Sequence, residues 1–192
     1  PLTTQLSPSR SAVVATAGNA SASVAFAGPV SDGGSAITNY KYAVSANGGS
    51  TWGPWTALAP ADGATPVTVP GLTNGTTYLV KVLAVTALGD GSASAPSAPF
   101  TPITTPGAPG LPSATPGNAS ASVAFSAPAS NGGSAITNYQ FALSTNGGSS
   151  WGPWTAVAPL DAVPPVTITG LTNGTSYLVK VRAVNAAGGG AE

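Results

Sequence analysis

The clearest pattern in the chain is an alternation of apolar and polar positions from Tyr78 to Val85. Tyr78, Val80, Val82 and Ala84 fall on one face of an extended strand, and Leu79, Lys81, Leu83 and Val85 on the other. The turn signal Thr73-Asn-Gly-Thr76 leads into it. The whole stretch Gly71–Val85 recurs as Gly170–Val184, where Lys180 and Arg182 take two of the opposite-face places and mark that face as the wetter one. The same offset of 99 residues relates Gly18–Phe26 to Gly117–Phe125, Ser35–Tyr40 to Ser134–Tyr139, and Trp52–Trp55 to Trp151–Trp154. A repeat of that length suits one seven-stranded sandwich per copy rather than a short solenoid unit.

In the first copy the pattern predicts strands over Ser11–Thr16, Ala20–Phe26, Ile37–Ser45, Thr65–Val69, Tyr78–Val85 and Ser92–Pro99. Ala20, Ala22, Val24 and Phe26 form the apolar set of the second strand, and Tyr40, Tyr42 and Val44 share a phase in the third. Asn47-Gly48-Gly49 reads as a hairpin turn. Thr51–Ala57 reads as a ribbon interrupted by Pro54, hence a sheet edge. No helical period appears: alanine is abundant but is interleaved with Pro, Gly and Ser. The expected architecture is all-β, two tandem immunoglobulin-like sandwiches. Residues 11–103 form the first, 104–110 a stiff Pro-rich linker, and 111–192 the second.

The second copy has no counterpart to Ser92–Phe100, so one of its edges is expected to lack the last strand. Residues 1–10 have the length and flavour of Pro99–Pro106. They read either as the tail of an upstream repeat in a longer array or as a strand, carrying Leu2 and Leu6, donated to the open edge of another copy. A frayed but tolerated edge is the third reading.

Composition narrows the function. The chain has 192 residues, five basic and five acidic, with no Cys, His or Met. Charged residues make up 5%, against roughly 25% in ordinary domains. Phosphate neutralisation needs clustered Lys and Arg, so nucleic acid is not an expected partner. No apolar run approaches a membrane span, and membrane insertion is not expected either. Low charge removes the repulsion that keeps copies apart, which points to a protein partner, including further copies head to tail.

Catalysis finds no support. The acids Asp32, Asp62, Asp90, Asp161 and Glu192 are scattered, mostly beside Gly or Pro, and acid–base work needs two positioned titratable groups. Without His or Cys there is no triad, no thiolate metal site and no expected cofactor. Asn19, Asn74, Asn118 and Asn173 begin formal glycosylation sequons, although Asn-Gly is also ordinary turn chemistry. Trp52, Trp55, Trp151 and Trp154 are the best candidates for an interaction surface, because aromatic platforms suit protein partners and sugar rings alike. Against this stands the ordinary reading: one Trp packs inward and the other covers apolar neighbours.

The run Gly-Leu-Thr-x-Gly-Thr-x-Tyr and the strand after it resemble the fibronectin type III family. Ser31–Tyr40 is similar to that family's bacterial branch. The resemblance implies that Tyr78 and Tyr177 are corner tyrosines pinning the preceding loop, that Leu72 and Leu171 plug the sandwich end, and that Phe26 and Phe125 replace an inward Trp. It implies an extracellular or cell-surface structural protein, such as an array segment or filament subunit. The alternative it implies is a binding or spacer module of an adhesin or secreted carbohydrate-active enzyme. No Arg-Gly-Asp is present. Ser45–Trp52 and Ser144–Trp151 also resemble the Asp-box hairpin, with Asn47 and Asn146 in place of its Asp.

Overall fold

A computed structural model describes residues 12–29, 31–59 and 65–192. Leu2, Leu6, Asp62 and the whole expected strand-donating segment lie outside the described residues. The chain divides into two units, up to Ile103 and from Thr104 onward.

In unit 1, β1 (Val14–Gly18), β2 (Ser21–Ala25) and β5 (Val67–Pro70) form one antiparallel sheet in the order β1-β2-β5. β3 (Ile37–Ser45), β4 (Thr56–Ala57), β6 (Leu79–Thr86) and β7 (Gly89–Asp90) form the other, in the order β4-β3-β6-β7. The inward set Val24, Val69, Val80 and Val82 is almost wholly removed from solvent, with Phe26 and Tyr40 meeting edge to face at 4.7 Å between centroids. Such a pair adds about 1 kcal/mol beyond its area. Unit 2 repeats this with β8 (Ser113–Gly117), β9 (Ser120–Ala124) and β12 (Val166–Thr169) in one sheet. Its second sheet holds β10 (Asn138–Ser144), β11 (Thr155–Ala156), β13 (Leu178–Asn185) and β14 (Gly188–Gly189). Val123, Val166, Ile168 and Tyr139 make its core.

Several expectations shift. The opening strand is Val14–Gly18 rather than Ser11–Thr16. Ala20 leaves the apolar set: it is exposed, at φ 48°, in the β1–β2 turn. The outer face of β6 is drier than its lysine implies, since Leu83 and the β3 partner of Lys81, Ala43, are both buried. The short strand β14 lies beside β13 in the place that β7 holds beside β6, and is the counterpart of β7 rather than of Ser92–Phe100.

The segment after β7 is not a regular strand. Gly91, Ser94, Ser97 and Phe100 donate in turn to the carbonyls of Ala84, Val82, Val80 and Tyr78. Three residues on one side match two on the other. That ratio follows from a polyproline-like chain with three residues per turn lying against a strand with two. The Pro-rich stretch 104–110 also donates at every third residue within unit 2. Thr104, Gly107 and Gly110 donate to Gly132, Ser130 and Ser126. Gly132 is glycine for this reason: it sits at φ 72°, and a side chain there would collide with the Thr104 carbonyl.

Candidate functional site

The four tryptophans lie on a ribbon that crosses the outer face of the four-stranded sheet in each unit. The ribbon starts from a tied turn. Ser45 Oγ donates to Asn47 Oδ1 at 2.9 Å and accepts from Gly49 N at 2.9 Å, while Asn47 Oδ1 accepts from Thr51 N at 3.0 Å. Ser144 and Asn146 do the same for Gly148 and Ser150. Gly53 N then bonds Val44 O, Pro54 offers no donor, and pairing resumes only at β4. The proline therefore leaves the two tryptophans free of a continuous ladder.

Cations rising from β6 and β13 hold the rings. Lys81 Nζ stands 4.4 Å from the Trp52 ring centre and 5.2 Å from that of Trp55. Lys180 Nζ stands 4.9 Å from Trp151 and 5.1 Å from Trp154, and Arg182 Cζ lies 4.3 Å from Trp154. Each such contact contributes about 0.5–1 kcal/mol at exposed sites. Trp55 and Trp151 nevertheless keep 37% of their surface exposed. The sequence singled out the aromatic rings but not their cations, because Lys81 and Lys180 are about thirty residues away and meet the ribbon only across the sheet.

Three neighbouring positions change together between the units. In unit 1, Lys41 Nζ bonds both carboxylate oxygens of Asp90, at 2.9 and 2.8 Å, and Leu83 lies opposite Lys41 in the ladder. In unit 2 these positions are Gln140, Gly189 and Arg182, and Arg182 Nε donates to Gln140 Oε1 at 2.8 Å. A Cβ on Gly189 would lie 2.7 Å from Arg182 Nε, so glycine makes room for the guanidinium.

The corner tyrosines reach back as the family pattern implies: Tyr78 Oη accepts from Thr73 N at 3.1 Å, and Tyr177 Oη from Thr172 N at 3.2 Å. The backbone bond from Thr172 holds the Tyr177 hydroxyl below the usual phenol range. Leu72 is buried in the first core, whereas Leu171 is half-buried against the second. The sequon asparagines are in use within each unit. Asn74 accepts from Ala20 N and donates to Asn19, both at 2.8 Å, and Asn173 does the same with Ala119 and Asn118. These bonds hold Ala20 and Ala119 at their positive φ, a role that the sequon pattern did not reveal.

Among the described residues, no three His, Cys, Asp or Glu side chains gather as a metal site would require, and no helix is long and apolar enough to cross a membrane. Burial raises the pKa of Tyr40 and Tyr139, with Asp161 adding to the shift of Tyr139. Both are core phenols.

Comparison with known proteins agrees with this architecture. The model of the fibronectin type III domain matches twice, over residues 7–100 and 107–192. Among solved structures, the FN1-FN3 domains of chicken CNTN1 align over 94% of this chain at 19% identity, with a TM-score of 0.43; the alignment spans 62% of that chain. The chain belongs to the fibronectin type III family, as two tandem domains.

Proposed function

We propose that these two units are a spacer and binding segment of a larger extracellular protein, an adhesin or a secreted carbohydrate-active enzyme. The similarity of Ser31–Tyr40 to bacterial members supports a bacterial surface or secreted setting. The observation that carries the binding role is the Trp–cation ribbon, with Trp55 and Trp151 still 37% exposed. Aromatic rings held in place by cations lose little side-chain entropy when a partner covers them. A cation already stands near each ring, which favours a protein partner over sugar stacking. The structural part of the role rests on the two sandwich cores and a sequence with few charges.

Sedimentation velocity over about a hundredfold range of concentration tests this reading. A monomer at every concentration is expected. Reversible growth of long polymers would overturn it in favour of a filament subunit, the second reading. Retention on cellulose or chitin, lost in the variant Trp55→Ala with Trp151→Ala, would change the partner class from protein to carbohydrate.

A further inference from the structure

The outer face of unit 2 carries a cation that no acid among the described residues neutralises. The ion pairs among those residues are Lys41–Asp90 at 2.8 Å and Lys180–Glu192 at 2.6 Å, and neither includes Arg182. The guanidinium is nonetheless fixed in place. Its Cζ lies 4.3 Å from the Trp154 ring centre, its Nε donates to Gln140 Oε1 at 2.8 Å, and Gly189 leaves room for its edge. Its two Nη atoms bond nothing among the described residues. Among those residues Tyr139 Oη is the one side-chain polar atom both buried and unpartnered, so both Nη atoms reach solvent.

Unit 1 shows what this arrangement replaces. There Asp90 takes both bonds from Lys41, and the position opposite Lys41 in the ladder is the buried Leu83. That pair is closed, with no charge left over. In unit 2 the acid's position is Gly189 and the lysine's is Gln140. The neutral amide oxygen of Gln140 orients the guanidinium without cancelling its charge. The rings differ in step. Trp55 is the exposed ring of unit 1, whereas its counterpart Trp154 is half-buried beside Arg182 and Trp151 is the exposed one.

We infer that Arg182 is the recognition point for an acidic side chain, Asp or Glu, on a protein partner that covers the ribbon of unit 2. With Nε taken by Gln140, the guanidinium presents its two Nη donors end-on, and a carboxylate matches them with two parallel bonds. A guanidinium already held by stacking and by its Nε bond loses little freedom on pairing. The exposed ring of Trp151 adds apolar area on the same ribbon. Lys180 is already paired with Glu192, so the charge that selects the partner is that of Arg182. This inference rests on the ribbon being a binding surface, and adds which unit and which charge choose the partner.

The test uses the full chain of residues 1–192 and two blocked peptides, acetyl-Leu-Glu-Leu-amide and the same peptide with Gln for Glu. NMR titration at low salt follows the Arg182 Nε–H and the indole N–H resonances of the four tryptophans. The Glu peptide should shift Arg182 and Trp154 saturably, and the Gln peptide should bind at least about tenfold more weakly. Salt at about 0.5 M should weaken the Glu peptide and leave the Gln peptide unchanged. Arg182→Leu should bind the two peptides alike; unit 1 carries leucine at this place, and thermal unfolding checks that the variant folds. Equal binding of the two peptides to the unaltered chain would overturn the acidic partner while leaving the ribbon reading in place. No shift at any indole with either peptide would overturn both. Shifts at Lys180 without shifts at Arg182 would also overturn the assignment. So would saturable shifts with polygalacturonate and none with the Glu peptide, which would make the partner an acidic carbohydrate. The peptide comparison uses the unaltered chain, so misfolding cannot account for a negative result.

Discussion

In unit 1 the strand β6 has partners on both edges: β3 on one side and the run from Gly91 to Phe100 on the other. In unit 2 the strand β13 pairs with β10, and among the described residues its other side bonds β14 and Gly190 alone. The two strands are near-identical in sequence, so the difference lies in what lies beside them. It changes the environment of residues that are themselves the same. Leu72 and Val80 are buried, while Leu171 and Val179 are half-exposed. An inward-facing position in a strand is a core position only when the neighbouring element covers it.

The largest effect should come from making unit 1 resemble unit 2. Phe100→Ala removes the ring that closes the first core, at 7% exposure. It should cost about 3–5 kcal/mol of the stability of unit 1, measured by urea denaturation. Little change in the transition assigned to unit 1 would mean that Phe100 does not close the core.

A smaller effect comes from the triplet that differs between the outer faces. Gly189→Asp places a side chain against Arg182 without the lysine that Asp90 meets in unit 1. It should destabilise unit 2 by about 1 kcal/mol. Adding Gln140→Lys and Arg182→Leu should restore most of that, because the three positions then match those in unit 1. A double-mutant cycle showing simple additivity would break the claim that these positions are coupled.

The smallest effect concerns the core phenols. Among the described residues, Tyr139 Oη is the buried side-chain polar atom without a hydrogen-bond partner. Tyr139→Phe should therefore be neutral or stabilise by up to about 1 kcal/mol. Burial raises the Tyr40 and Tyr139 pKa above the ordinary value of 10.0. The unfolded chain thus ionises first as pH rises. The stabilising difference is whole below about pH 10 and is lost as pH climbs through the folded-state values. Thermal unfolding across pH 9 to about 11.5 should show a shallower decline in Tyr139→Phe than in the unaltered chain.

Much of this architecture was legible in the sequence, for a physical reason. β3 and β6 alternate because one face of each meets the core, and the tight turns need Gly and Asn at fixed places. The interruption of the ribbon was legible, because Pro54 and Pro153 cannot continue a ladder; its end is the edge strand β4 or β11, while the tryptophans lie over the sheet's outer face. The corner tyrosines were legible through the resemblance to the family, which the bonds from Thr73 and Thr172 to their hydroxyls match. What did not show was set by contacts across the fold. Ser94 and Ser97 look like ordinary loop residues until β6 is beside them. Ala20 belongs by pattern to a strand, yet Asn74, far along the chain, draws it into the turn. Lys81 reads as a solvent-facing charge, but its ammonium group stands over two indoles. The stretch 104–110 looks like a linker by composition, but its third-residue donors bond within unit 2.

Amide hydrogen exchange measured residue by residue tests the central contrast most directly. Val80 and Val82 donate to buried serine oxygens, while among the described residues nothing accepts from their counterparts Val179 and Val181 on that edge. Exchange at Val179 and Val181 should be at least about tenfold faster than at Val80 and Val82 under native conditions. Equal protection at all four amides would contradict the account.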